Sequence, residues 1–503
     1  TQGLANYIKK VNQQSRGVAI AYDSRIKSTE FAKFAAAVLA ANGIKVWFYP
    51  ELVPTPMLSF AVRELHCKGG IIITASHNPA EYNGYKCYDP EGYQMTDEAA
   101  AKTYEFIQKT DIFSEIKTMD FDAAVESGLV EYITDDLVER FYSCVEKCCL
   151  SKDITAKTDL RVIYTPLNGT GNKHVRAMLE RIGIKNVCVV KEQELPDGNF
   201  PTCPYPNPEI KQVFECAIKM TEHEKADLLL ATDPDCDRVG IAVLNGGEYK
   251  LMTGNEVGVL LAEYLLSRRK ELGILPENAV VVKSFVTTDL VDAVAAKYGV
   301  SVKKLLTGFK YIGEYITELE AKGEADRFVI GMEESYGYLC GIHARDKDAV
   351  VASTLICEMA AYYKAKGISL YEKMQEIYKE HGYYLNRVIS FEFKGESGME
   401  KMAQIMEKLR NDSLDSIADY KVLSISDYKK SETVDVVTGE KSLIDLPKSN
   451  VLAYALEKAN GVIIRPSGTE PKIKVYFTAR GNDKKSAEGI FSALSEDMEK
   501  YLK

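Results

Sequence analysis

Gly70-Ile71-Ile72-Ile73-Thr74-Ala75-Ser76-His77-Asn78-Pro79 is the stretch on which the reading turns. Its β-branched run, entered through Gly69-Gly70, has the composition of a buried strand. The run closes in small and polar residues followed by Asn-Pro. Helix is disfavoured at the residue before a proline, so the chain turns there. Ser76 therefore lies just past the carboxyl end of a strand, where open α/β sheets place their ligands. Taken alone, the string also fits an ordinary strand and loop.

Working outward, the same grammar repeats. Residues 18–22 read as a short apolar strand ending in Asp23-Ser24-Arg25. Ser28-Thr29 are expected to cap a helix whose Phe31, Phe34, Ala35, Val38 and Leu39 follow helical spacing, and Asn42-Gly43 closes it. Residues 46–49 form the next strand, which makes a βαβ unit. A second cycle opens with a strand at 161–165 and Pro166-Leu167-Asn168-Gly169-Thr170-Gly171. It continues through a helix at 174–182, a strand at 186–190 and a loop rich in Pro, Asn and Gly at 196–208. Its last strand, 227–232, runs into Asp233-Pro234-Asp235-Cys236-Asp237-Arg238. A third cycle has strands at 279–282, 302–306 and 327–330, the last ending in Gly331-Met332-Glu333-Glu334-Ser335-Tyr336-Gly337. From about Tyr384 the pattern changes to alternating strands at 388–393, 420–425, 462–465 and 473–478, with helices near 398–410 and 484–502.

The expected architecture is α/β: three similar α/β domains with mixed sheets and a smaller C-terminal α+β domain. The boundaries fall at residues 1–150, 151–254, 255–380 and 381–503. A chain of 503 residues is too long for one core, and roughly three to four domains is the prior. A net charge of -10 argues against a broad nucleic-acid surface while leaving room for a basic pocket. No apolar run approaches the roughly 18 residues of a spanning helix, and the first residues lack a signal-peptide layout. The 11 cysteines are scattered, without a Cys-x-x-Cys pair, as in a reduced cytoplasmic protein.

Several strands thus end in polar loops of the kind that bind ligands. Asp233, Asp235 and Asp237 recur at i, i+2 and i+4, and three such carboxylates repel unless a cation lies between them. Oxygen ligands alone suit Mg²⁺, Mn²⁺ or Ca²⁺ rather than zinc. Ser76 has no relay that would make it a hydrolase nucleophile, and Gly-x-Ser-x-Gly is absent. A serine beside a metal can instead carry a phosphoryl group. Arg465-Pro466-Ser467-Gly468-Thr469 combines hydroxyls, a loosened backbone and a guanidinium, the parts of an anion cradle. Glu333 and Ser335 are placed to accept from and donate to sugar hydroxyls; a helix-capping role for Ser335 fits its composition equally well.

Together, Thr-Ala-Ser-His-Asn-Pro with Tyr82-Asn83-Gly84-Tyr85-Lys86, Asp-Pro-Asp-Cys-Asp-Arg, Gly-Met-Glu-Glu-Ser-Tyr-Gly and Arg-Pro-Ser-Gly-Thr-Glu-Pro resemble the α-D-phosphohexomutase superfamily, the phosphoglucomutase and phosphomannomutase group. The motifs occur in the family's order between about residues 20 and 480. The resemblance implies a heart-shaped four-domain enzyme with a central cleft. It makes Ser76 the phosphoserine, and Asp233, Asp235 and Asp237 the holders of Mg²⁺ with a Ser76 phosphate oxygen. It puts Arg25 and Lys86 near the transferring phosphoryl group. Lys86 is the implied general base, a role that needs a lowered pKa, and His77 orients the loop.

Arg238, Thr307, Gly308, Lys310, Glu333 and Ser335 are implied to bind sugar. Arg465, Ser467, Gly468 and Thr469, assisted by Lys347, are implied to hold the phosphate that is not transferred. Glu-Glu-Ser-Tyr-Gly resembles the glucose-preferring branch. The implied reaction interconverts glucose 1-phosphate and glucose 6-phosphate through glucose 1,6-bisphosphate, in a monomer or homodimer, with mannose or pentose phosphates, or a sugar-phosphate binder without turnover, as alternatives. Two departures stand out. The family's Gly-Thr-x-Gly-x-Arg pattern does not occur; residues 1–10 read as a helix already under way, so the native chain is expected to start earlier. Cys236 stands where the family commonly has Gly or Ala, which would link metal binding to oxidation.

Overall fold

The computed structural model describes residues 1–393, 397–412, 414–468 and 470–502. The chain divides into two compact units: Thr1–Ser284 with Ala295–Lys373, and Phe285–Val294 with Met374–Lys503.

The first unit holds three mixed sheets built on one plan. In the first, strands Val18–Tyr22, Val46–Phe48, Gly69–Ile73 and Val130–Tyr132 run parallel, and Tyr85–Tyr88 pairs antiparallel with Gly69–Ile73 at the edge. In the second, Arg161–Thr165, Asn186–Val189 and Leu228–Thr232 are parallel, and Val239–Asn245 and Glu248–Met252 continue antiparallel. In the third, Val280–Ser284, Ser301–Leu305 and Phe328–Glu333 are parallel and Gly337–Leu339 returns antiparallel. Each of the three polar motifs is the connection between the strand that leads into it and its antiparallel neighbour. The three-fold recurrence read from element order is thus a recurrence of topology.

Strands covered by helices on both faces need apolar residues throughout, and Val18–Tyr22, Gly69–Ile73 and Leu228–Thr232 are buried at every position. Gly70 has a packing reason: a Cβ there would lie 2.6 Å from Val62 Cγ2, so its absence lets helix Thr55–Glu64 close on the strand. That helix escapes a reading by pattern because it opens in Pro54-Thr55-Pro56. Proline breaks a helix interior but is well tolerated in the first turn, where its missing N–H has no partner to lose. Helix Ala349–Ala365 escapes for another reason. It is buried from Ala349 to Tyr363, and a helix surrounded by protein shows no amphipathic period.

The expected Ser28-Thr29 cap is corrected. The helix is Ser28–Ala41, its N-cap is Lys27 in the left-handed conformation, and the Ser28 hydroxyl donates instead to Asp23 Oδ1 at 2.7 Å.

The second unit carries an antiparallel sheet in which Tyr383–Glu392, Lys472–Gly481, Asn460–Pro466, Leu452–Leu456, Tyr420–Asp427, Glu432–Asp435 and Lys441–Leu443 lie in that order. Helices Gly398–Asn411 and Lys484–Leu502 supply Met402, Met406, Leu494 and Met498 to its core. No helix among the described residues is long and apolar enough to cross a membrane.

Candidate active site

The three connections of the first unit converge. Ser76 adopts a left-handed backbone (φ 53°), and its N–H donates to Thr74 Oγ1 at 2.8 Å. Left-handed conformations cost non-glycine residues about 1–3 kcal/mol, so the surroundings must enforce this one. Arg25 does so. Its guanidinium donates to the carbonyls of Ser76 (2.6 Å), Pro79 (2.8 Å), Tyr82 (2.9 Å) and Asn78. Its Nε lies 3.3 Å from Asp23 Oδ2, with both side chains fully buried. The Ser76 hydroxyl leaves its own domain and donates to Asp233 Oδ2 at 2.9 Å. His77 Nδ1 is 3.2 Å from the same hydroxyl. Burial, helped by the charge of Arg238, lowers the His77 pKa to about 3, so the imidazole is neutral.

Asp233, Asp235 and Asp237 are buried, and each brings a carboxylate oxygen within 4.8 Å of the others. Cys236, also left-handed (φ 50°), makes the turn that gathers them. Gly169 permits it, since a Cβ there would meet Pro234 Cα at 2.4 Å. Asp233 Oδ1 accepts the backbone N–H groups of Asp237 and Arg238. Asp235 Oδ2 accepts Thr55 Oγ1 at 2.9 Å and Lys86 Nζ at 3.0 Å. Asp237 Oδ2 faces Lys347 Nζ at 3.1 Å and Lys86 Nζ at 3.9 Å. Burial and the neighbouring carboxylates raise the pKa of Asp233 well above its ordinary value and raise that of Asp237. Burial works against Asp235 too, but Lys86 and its hydrogen bonds hold that carboxyl below the usual range.

The decisive detail is what stays unmatched. Asp235 Oδ1 and Asp237 Oδ1 are buried without a hydrogen-bond partner. A buried acceptor left unmade costs about 1–3 kcal/mol, more when charged. Two such oxygens beside a third carboxylate fit a hard divalent cation such as Mg²⁺.

Lys86 lies on the antiparallel strand Tyr85–Tyr88, so its ammonium reaches the carboxylates from the domain that carries Ser76. The lowered pKa that a base role requires is not met in this arrangement. Burial lowers it, but Asp235 and Asp237 more than offset burial and hold it above its ordinary value.

The third connection joins through Val239 N, which donates to Tyr336 O at 3.1 Å, and through a bridge between Arg238 and Gly337. Glu333 is buried and accepts the Gly308 N–H at 2.8 Å, and Gly308 has a φ of 125°. The Thr307 hydroxyl beside it is buried and unpartnered. Ser335 sits in the turn between Phe328–Glu333 and Gly337–Leu339, where no helix begins, so the capping alternative falls away. Gly337 is required sterically, because a Cβ there would lie 2.1 Å from the Lys347 Cδ.

Lys347 joins the acidic trio through Asp237, and Lys310 pairs with Asp97 at 2.6 Å. Arg238 donates to Glu209 at 2.9 Å. Thr55, Tyr88 and Asp346 were not anticipated. Tyr88 donates to Asp346 Oδ2 at 2.5 Å, and Asp346 lies 3.2 Å from the Lys347 ammonium. Tyr88 was findable, since it follows Lys86 by two on a strand and so shares its face. Thr55, in Pro-Thr-Pro, carries no such signal.

In the second unit, Arg465 lies on strand Asn460–Pro466, opposite Lys474 of the neighbouring strand. Ser467 N donates to Lys472 O, closing the turn, and nothing crowds Gly468. Thr469 lies outside the described residues.

Four consecutive segments match the domains of one family: phosphoglucomutase/phosphomannomutase alpha/beta/alpha domain I over residues 1–112, domain II over 139–246, domain III over 253–381 and the C-terminal domain over 404–495. A phosphoglucomutase of Staphylococcus saprophyticus is 37% identical over 478 residues, covering 95% of this chain and 85% of that one. A phosphoglucomutase of Staphylococcus aureus is 34% identical over 486 residues, covering 95% and 84%. The open form of pp63/parafusin from Paramecium superposes with a TM-score of 0.72 at 20% identity, covering 99% of this chain and 90% of that one, and so shares the fold.

Proposed function

Because the chain belongs to the phosphoglucomutase/phosphomannomutase family, within the α-D-phosphohexomutase superfamily, we propose that it moves a phosphoryl group between two positions of one hexose, interconverting glucose 1-phosphate and glucose 6-phosphate. The observation that carries this reading is the Ser76 hydroxyl 2.9 Å from Asp233, beside two carboxylates with unmatched oxygens. Glucose as the sugar is supported by the names of the relatives and by Glu-Glu-Ser-Tyr-Gly.

Ser76 is the phosphate carrier. The bond from phosphorus to Ser76 Oγ breaks as one forms to O6 of glucose 1-phosphate, and the hydroxyl proton passes to a base. The base passes that proton to the freed Ser76 Oγ. The resulting glucose 1,6-bisphosphate turns over, the bond from phosphorus to O1 breaks as one forms to Ser76 Oγ, the Ser76 proton passes to O1, and glucose 6-phosphate leaves. Asp233, Asp235 and Asp237 would hold Mg²⁺, which supplies positive charge against the phosphoryl group during transfer. Lys86 is the proposed base. That role requires its pKa, which Asp235 and Asp237 hold above the ordinary value against the effect of burial, to fall when those carboxylates are engaged by a cation. Arg25 holds the carrier loop and neutral His77 orients the hydroxyl. Arg238, Thr307, Gly308, Glu333 and Ser335 are proposed to read the sugar. Arg465, Ser467, Gly468 and Thr469 are proposed to hold the second phosphate.

The test is to assay glucose 1-phosphate, mannose 1-phosphate and ribose 1-phosphate side by side, with Mg²⁺ and catalytic glucose 1,6-bisphosphate. Glucose 1-phosphate is expected to react fastest, and Ser76→Ala to lower turnover by at least about 10³-fold while still binding sugar phosphate. Near-normal turnover in Ser76→Ala refutes the carrier. Faster mannose or ribose turnover reassigns the substrate.

A further inference from the structure

Residues 196–209, Pro-Asp-Gly-Asn-Phe-Pro-Thr-Cys-Pro-Tyr-Pro-Asn-Pro-Glu, form a long connection in the second sheet domain to which no chemistry has yet been attached. It is rooted in its own domain. Asp197 N donates to Asn168 O, Gln193 Nε2 donates to Thr202 Oγ1, and Gly240 leaves room for Pro208 O. Asn168 precedes Gly169, on which Pro234 of the aspartate turn packs. The connection and the carboxylates therefore share one scaffold.

Its far side grips the first domain at the points that govern Ser76. Gly198 passes so close to the Ser24–Ile26 backbone that a Cβ would lie 2.5 Å from Ile26 N. Phe200, buried and left-handed (φ 47°), stacks its ring 5.1 Å from the Arg25 guanidinium, the group that donates to four carbonyls of the Ser76 loop. Tyr205 sets its ring edge-on to His77, with centroids 6.2 Å apart and planes at 90°. Glu209 ends the segment on the Arg238 guanidinium. Left-handed backbone at a buried phenylalanine costs free energy, so the surrounding packing must hold the ring over Arg25.

We propose that residues 196–209 are a positioning clamp. Phe200 acting through Arg25, and Tyr205 acting through His77, hold the Ser76 hydroxyl at its distance from Asp233, so phosphoryl transfer depends on side chains that touch neither the sugar nor the acidic trio. The clamp ties the carrier loop of one domain to the carboxylates of the next, and it rests on the reading of Ser76 as phosphate carrier. Small misplacements of reacting groups are costly in rate, whereas substrate binding by other residues is untouched. The clamp therefore predicts a loss in kcat with little change in KM.

The test compares Phe200→Leu, Tyr205→Ala and Tyr205→Phe in the full chain. The readouts are kcat and KM for glucose 1-phosphate, thermal midpoint, and the lifetime of phospho-Ser76 without sugar, followed by intact mass. Phe200→Leu keeps an apolar side chain but loses the aromatic face; Tyr205 is 40% exposed, so its truncation spares the core. Phe200→Leu and Tyr205→Ala are each expected to lower kcat about tenfold with KM within about twofold, and to shorten the phosphoserine lifetime. Tyr205→Phe keeps the ring edge and is expected to restore both. Unchanged kcat in Phe200→Leu and Tyr205→Ala overturns the clamp, as does Tyr205→Phe behaving like Tyr205→Ala. Ser76→Ala, run alongside, separates the two claims. If it retains turnover the carrier reading fails; if it loses turnover while Phe200→Leu and Tyr205→Ala do not, the clamp alone fails.

Discussion

Residues 74–84 and 233–238 occupy the same place in two sheets, each joining a buried parallel strand to its antiparallel neighbour, and each turning at a left-handed non-glycine residue. They are balanced in opposite ways. The first presents backbone carbonyls, and one guanidinium from its own domain satisfies four of them. The second presents carboxylates, and its ammonium partners arrive from other sheets: Lys86 from the first and Lys347 from beyond the third. Even so, two carboxylate oxygens go unmatched. One topology thus yields a loop held internally through its carbonyls and an acidic cluster that keeps two buried carboxylate oxygens without a hydrogen-bond partner.

The sharpest way to break this contrast is Asp235→Asn. It removes the carboxylate that Lys86 and Thr55 hold, and turnover should fall about 10³-fold, with loss of any Mg²⁺-induced thermal shift. If the Mg²⁺ response survives, the trio is not the cation site. Arg25→Lys tests the other side. A lysine is a compact point charge that cannot fork to four carbonyls. Turnover should drop about 100-fold while the Mg²⁺ shift remains, measured by kinetics and thermal melts on one preparation.

Gly337→Ala sharpens the contribution of the third sheet. Its Cβ must displace the Lys347 stem, and about a tenfold loss of kcat is expected. A smaller effect is the Mg²⁺ shift itself. Raised pKa values at Asp233 and Asp237 mean that these groups cost stability as pH rises from the ordinary carboxylate range towards their raised folded values. At pH 7 a bound cation should offset that cost and add about 2.7 kcal/mol at a hundredfold excess over Kd, read as a higher Tm.

The smallest effect concerns acid. The pKa of His77 is about 3 folded against an ordinary 6.5, and buried His174 behaves alike. The unfolded chain therefore binds these protons first, and stability should decline as pH falls from about 6.5 towards 3. His174→Gln should flatten that decline, followed by denaturant melts across the range.

Much of this was legible beforehand. Ile71-Ile72-Ile73 and Leu228-Leu229-Leu230 announce doubly covered strands because a strand with helices on both faces has no solvent side to mark with polar residues. The spacing of Asp233, Asp235 and Asp237 marks an acidic cluster, but the extended loop that such alternation suggests is instead a turn at left-handed Cys236, and that turn brings the three carboxylates together. Helices Thr55–Glu64 and Ala349–Ala365 were hidden, the first by prolines at its start and the second by burial all round.

The sequence by itself determined the repeated strand-and-loop order, the residue types at each loop, and the family. Tertiary structure alone decided which groups meet. Ser76 and Asp233 are 157 positions apart. Lys86 is bound to Asp235, Lys347 turns to Asp237, and Arg25 is spent on backbone carbonyls. Local pattern reports on neighbours along the chain, because propensity and periodicity are local. Pairing across domains is set by packing, burial and charge balance, which no single stretch contains.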